Sequence, residues 1–265
     1  MTELVTISTD NYASMAKAMG LSTMKSGESK KANLLNRLRI WHSPIMGQKD
    51  VDGKSMNVEV VPSGTYRLEI VNGDTSTYYY SEGAIVRPFM QRYMYRRYIA
   101  FPNAKDNEPK GEFHRTIMSD SLSIDLKDNT GKFNCGKPTG FVEDFKSLPT
   151  ETQDLIRVRV IFGTVTLKNP VTQTGESADL DVNIPFIWEI DNKTAYKTLG
   201  DAFNLFVKKE RLPLQHNIQL TKLTKNPLPN GSSFYTPEVS VDFSKSVEIR
   251  SKDNETFTNF LDWIK

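Results

Sequence analysis

The sequence has little of what most enzymes and secreted proteins depend on. Its 265 residues include one cysteine, Cys135, and three histidines. A lone cysteine excludes an intrachain disulfide and fits a reducing compartment. No Cys-x-x-Cys or spaced pair of histidines accompanies it, so the pattern offers no zinc set. The glycine-rich phosphate cradles Gly-x-x-x-x-Gly-Lys-Ser/Thr and Gly-x-Gly-x-x-Gly are missing, as is Gly-x-Ser-x-Gly, and His42, His114 and His216 stand in unrelated contexts. These absences argue against acyl transfer, the usual nucleotide cradles and a bound cofactor or metal. Long apolar runs are also missing, and the opening MTELVTISTD has neither a basic nor an apolar leader segment, which predicts a soluble cytoplasmic protein without membrane work. Net charge is nearly absent too, with 34 Lys and Arg against 32 Asp and Glu. Attraction for a polyanion must therefore come from clustering.

One stretch supplies such a cluster. Tyr78 to Phe101 (YYYSEGAIVRPFMQRYMYRRYIAF) interleaves rings with arginines and contains a single acid, Glu82. Rings offer flat faces to bases and guanidinium groups offer planar donors to phosphate, the combination a sequence-tolerant single-strand groove needs. Tyrosine-rich strands with arginine stems packed beside them are also ordinary sheet residues. On a strand, Tyr93, Tyr95 and Arg97 share one face while Arg92, Met94, Arg96 and Tyr98 share the other. Only one of these sets can line a groove. The candidate phosphate contacts are Arg87, Arg92, Arg96, Arg97 and Lys137, and the candidate base contacts are Phe89, Tyr93, Tyr95 and Tyr98. The glycine-bearing loop Lys132–Phe141 (KFNCGKPTGF), through Lys132 and Lys137, and the arginines Arg157 and Arg159 are candidates for the opposite wall.

The remainder of the chain reads as short strands and turns. Residues 1–33 are small, polar and basic after a short helical stretch near Asn11–Met19 and suggest a flexible arm; 34–265 read as one domain. Leu34–Trp41, with Arg37 and Arg39, alternates as a strand with one wet face. SPIMGQKDVDGK reads as a turn-rich link, and Met56–Val61 and Tyr66–Val71 as strands around a reversal at Pro62-Ser63-Gly64. Asn72-Gly73 is a hairpin signal. Residues after Pro149 suggest a short helix. Arg157–Leu167 (RVRVIFGTVTL) is the clearest alternating strand, with Gly163 predicting a bulge or bend and Leu180–Ile190 predicted as its partner. Asp191 or Asn192 caps a helix with Tyr196, Leu199, Phe203, Phe206 and Val207 at helical spacing. His216–Leu223 and Ser233–Val241 form a hairpin, Val247–Ile249 a strand fragment, and Phe257, Phe260, Leu261 and Ile264 one side of a closing helix. The expected fold is mainly β with a few helices: an elaborated antiparallel β-barrel like the oligonucleotide-binding (OB) fold.

Two alternatives compete with single-strand binding. Asp181, Asp191 and Lys193 occur in an order resembling metal-dependent nucleases, although Asp191 has a ready role as a cap. A virion structural protein is the other.

Four runs carry a resemblance to a known family: LNRLRIW at Leu35–Trp41, RPFMQRYMYRRY at Arg87–Tyr98, FNCGKPTGF at Phe133–Phe141 and PFIWEIDN at Pro185–Asn192. They resemble runs in proteins of phage replication regions, and the chain is similar to phage-encoded single-stranded DNA-binding proteins. That resemblance implies a non-enzymatic protein of the host cytoplasm that coats and protects exposed strands during DNA replication and recombination, with single-stranded DNA and phage replication and recombination proteins as partners. Proteins of that kind usually end in an acidic tail, whereas this sequence closes with FLDWIK.

Overall fold

A computed structural model describes residues 35–51, 54–101, 103–115, 118–120, 156–229 and 231–264. The expected N-terminal arm, the loop with Lys132 and Lys137, and the helix expected after Pro149 lie outside the described residues. Within them the protein is mainly β. Twelve strands and two helices alternate as β1 (Asn36–Trp41), β2 (Ile45–Val51), β3 (Lys54–Val61), β4 (Thr65–Asn72), β5 (Thr75–Ser81), β6 (Gly83–Ala100), β7 (Gly111–Arg115), β8 (Ile156–Lys168), β9 (Val171–Thr172), β10 (Ile184–Ile190), α1 (Lys193–Lys208), β11 (Ile218–Pro227), β12 (Ser233–Val241) and α2 (Ser251–Ile264).

Ten strands share one curled sheet that forms a half-barrel, in the order β12-β11-β6-β8-β10-β1-β4-β5-β9 with β7 added to β6. All pairings in it are antiparallel except β1 with β10. The curl brings β12 back toward β1: the Tyr235 amide donates to His42 Nδ1 at 3.2 Å, and the two rings stack with centroids 6.0 Å apart. β2 and β3 pair only with each other, as a separate ribbon. The stretch expected as a turn-rich link is thus a strand, and the reversal at Pro62–Gly64 leads from the ribbon into the sheet instead of pairing β3 with β4. Residues Val247–Ile249 form no strand. No helix among the described residues is long and apolar enough to cross a membrane.

Side-chain alternation sorts the sheet into two buried faces. Leu38, Tyr66, Leu68, Ile161, Val165, Phe186 and Trp188 point to the inner face, where α1 lays down Ala195, Leu199, Phe203 and Phe206. Asn192 caps that helix, its Oδ1 accepting from the Thr194 and Ala195 amides at 3.0 Å. Val207, predicted with the apolar stripe, is 79% exposed. Phe89, Met94, Val158, Val160, Phe162 and Ile187 point to the outer face, against Phe260 and its neighbours on α2. Central strand β8 is covered from both sides, which explains its almost unbroken apolar burial. The expected bulge occurs on the partner strand: β6 carries an extra residue between Pro88 and Met90, opposite Gly163 and Phe162. Gly163 permits it, since a Cβ there would stand 2.2 Å from the Arg87 carbonyl oxygen.

Candidate nucleic-acid interface

The two sets of β6 side chains have different fates. On the inner side Tyr93 and Tyr95 join Arg159 in the layer between the sheet and α1. Arg159 is buried; it donates to the Gln91 side chain and, at 3.2 Å, to the Tyr93 hydroxyl, and its guanidinium lies 4.5 Å from the Tyr196 ring centroid. A Cβ at Gly200 of α1 would stand 2.6 Å from the Arg159 guanidinium, so a larger residue there would have to displace that end of the side chain. Tyr95 is buried, and burial raises its hydroxyl and that of Tyr196 above the usual phenol range. Arg157 begins the same strand half-buried and partnered.

On the outer side, the first turn of α2 claims Arg87. Its Nη1 and Nη2 donate to the two Asp253 carboxylate oxygens at 2.9 and 3.0 Å, and Nε donates to the Leu214 carbonyl at 2.7 Å. Phe89 is buried beside it, edge-on to Phe260 with centroids 5.9 Å apart. Arg92 is half-buried and donates to the Gln91 carbonyl at 2.9 Å. Arg87, Phe89, Tyr95 and Arg159 therefore face packing, not solvent. The side chain of Arg97 lies outside the described residues.

Arg96 and Tyr98 remain, and the structure gives them partners that the sequence reading passed over. β7 sets Arg115 opposite Arg96 and Phe113 opposite Tyr98. The Tyr98 and Phe113 rings meet at 5.1 Å and 61°, and they are 42% and 50% exposed. The Arg96 guanidinium lies 4.6 Å from the Phe113 centroid. Like charges directly opposite on paired strands repel. Here each is answered from the C-terminal end of β10 and the residue after it: Arg115 Nη1 donates to Glu189 Oε1 at 2.9 Å, and Arg96 pairs with Asp191.

Beside this hairpin the sheet opens. The parallel strands β1 and β10 stay in register only at Asn36–Phe186 and Arg37–Ile187. Asn36 staples that point, donating to the Pro185 carbonyl at 2.9 Å and accepting from the Val71 amide at 3.0 Å. Beyond it the strands diverge around a cleft of about 290 Å³. Trp263 of α2 borders it, and Arg37, Arg39, Arg96 and Arg115 converge on it. Arg37 and Arg39 are exposed, and neither is ion-paired to another described residue. His42 closes one end; burial pulls its imidazole below the usual value, with Asp191 acting in the opposite direction. The missed residues had a signal, since Phe113 and Arg115 repeat the alternation of Tyr98 and Arg96.

Asp181 and Asp191 flank opposite ends of β10, whose seven residues span about 20 Å. They do not converge with Lys193 on one ion. Among the described residues no group of three or more His, Cys, Asp and Glu side chains is placed to hold a metal. The chain matches no protein-family model, no curated protein and no solved structure.

Proposed function

We propose that the chain binds single-stranded nucleic acid on the outer face of its sheet, at the β6–β7 hairpin and the cleft between β1 and β10. One observation carries this: the opposed arginines Arg96 and Arg115 adjoin the exposed ring pair Tyr98–Phe113 and look across the cleft at the exposed Arg37 and Arg39, which are not ion-paired to any described residue. Guanidinium groups on both sides of an open cleft suit a phosphate backbone. Exposed rings suit unpaired bases, whose faces are free, whereas a duplex buries those faces in its own stack. The resemblance to phage single-strand binders supports DNA as the strand and replication and recombination as the setting, with coating and not catalysis as the task.

Fluorescence anisotropy with oligo-dT and with a duplex of equal length tests the reading. The single strand should bind preferentially. Tyr98→Ala with Phe113→Ala should weaken it by at least tenfold, from about 1–3 kcal/mol per stacked base. Absence of binding at low salt, or equal binding of duplex that ignores loss of both rings, would sink the proposal.

A further inference from the structure

The outer face does not stop at the cleft. β4 sets Arg67 opposite Arg39 and Glu69 opposite Arg37, and β5 sets Tyr78 opposite Glu69. Leu38, Tyr66 and Leu68 point to the inner core, so alternation puts Arg37, Arg39, Trp41, Arg67 and Tyr78 on the outer side, with Arg96 and Arg115. The Arg67 guanidinium lies 4.3 Å from the Trp41 ring centroid and 5.0 Å from that of Tyr78. Glu69 offsets Arg37, but Arg39 and Arg67 form a second directly opposed pair of like charges, and neither is ion-paired to a described residue. Packing between rings accounts for Arg67. It does not account for the exposed Arg39 beside it, whereas an anion lying over both relieves their repulsion. Ring-and-guanidinium groups thus occur at two separated places on one face, with an arginine-lined cleft between them.

Resting on the single-strand reading above, we infer that the bound strand crosses the sheet obliquely, from the Tyr98–Phe113 pair over the cleft to the Trp41–Arg67–Tyr78 group. The partner this surface fits is a contiguous single strand long enough to reach both ends. From β6 to β4 is four inter-strand steps, about 19 Å at ~4.8 Å per step, and the register sets Arg39 and Arg67 level with Arg92, short of Tyr98 by about 20 Å along the strands; the oblique path is about 28 Å, or about eight nucleotides at ~3.4 Å each in a stacked strand.

Two measurements on the full chain decide this. Ultraviolet crosslinking of the wild-type protein to an oligo-dT of about 12 nucleotides, comfortably above the span, followed by peptide mapping, should give adducts both in the β6–β7 hairpin and at Trp41 or Tyr78. In parallel, Arg67→Gln with Tyr78→Leu should cost about tenfold on that oligonucleotide and less than about twofold on one of about four nucleotides, which is too short to span. Adducts confined to the hairpin, or equal penalties at both lengths, overturn the crossing path and leave single-strand binding intact. Failure of the wild type to bind either oligonucleotide at low salt overturns the underlying reading instead. Should the double variant not fold, the wild-type adduct map decides by itself.

Discussion

Glu189 and Asp191 occupy the hydrogen-bonding edges of Arg115 and Arg96 that a phosphate would use. They make an opposed pair of arginines tolerable in the free protein, and they compete with the ligand for the same donors. Asp191→Asn with Glu189→Gln should therefore tighten oligo-dT binding by about tenfold, the scale of one charge-assisted hydrogen bond no longer displaced. The exposed Asp179 and Asp181 precede the other end of β10 and provide a matched control. Their double change to asparagine alters net charge equally and should move the affinity less than about twofold; equal tightening in both variants would reduce the effect to overall charge. His42 adds a pH term. Its folded value lies below the unfolded one because burial disfavours the cation, and protonation of Nδ1 would break the bond from the Tyr235 amide. The unfolded chain then binds the proton first as pH falls, so the His42 contribution to stability is full above about pH 6.5 and is lost as pH drops through the folded value. A phosphate in the cleft favours the cation, so binding takes up a proton. Affinity at constant ionic strength should rise between about pH 7.5 and about pH 5.5, and His42→Gln should flatten that rise.

At the scale of elements, α2 is fastened to the sheet by polar and apolar contacts together. Arg87 reaches Asp253 with both terminal nitrogens, Phe260 packs on Phe89 and Phe162, and Trp263 adds an edge-on contact to Phe162. Burying such a ring contributes about 1.5–3 kcal/mol, and removing one partner of a buried ion pair costs about 3–5 kcal/mol. Arg87→Ala should lower the unfolding free energy by at least about 3 kcal/mol in urea titrations; Arg92→Ala, with one bond to a carbonyl, should cost about 1 kcal/mol or less. The same contrast shows what could be read from sequence. The β8 alternation, the Asn72-Gly73 hairpin and the Asn192 cap were legible because their causes lie within a few residues. The fate of β6 was not, because both its faces carry tyrosine and arginine at period two. The inward Tyr93 meets Arg159, which in turn lies over Tyr196 of α1, about a hundred positions later, and Asp253, 166 positions from Arg87, makes Arg87 structural. Strand β2 escaped for another reason: Gly47 and the run Asp50-Val51-Asp52-Gly53 read as turn, and β2 pairs only with β3, outside the main sheet.

For the whole molecule, near-neutral net charge makes the local arrangement of five arginines, Arg37, Arg39, Arg67, Arg96 and Arg115, the source of any attraction for a backbone. Engaging all five on a single strand predicts a slope of about −3.5 when log affinity is plotted against log salt, at ~0.7 per phosphate. A slope near −1 would mean that most of these groups stay with their protein partners. The parallel pairing of β1 with β10 also has a temporal side. Asn36 meets Pro185 across 149 positions, and contacts so distant along the chain form late, after the local hairpins. At about 5–20 residues synthesised per second, the arginines of β1 wait roughly seven to thirty seconds for the wall that completes their cleft. On the binding reading proposed above, a nascent chain from which β10 has not yet emerged lacks the wall that its β1 arginines need.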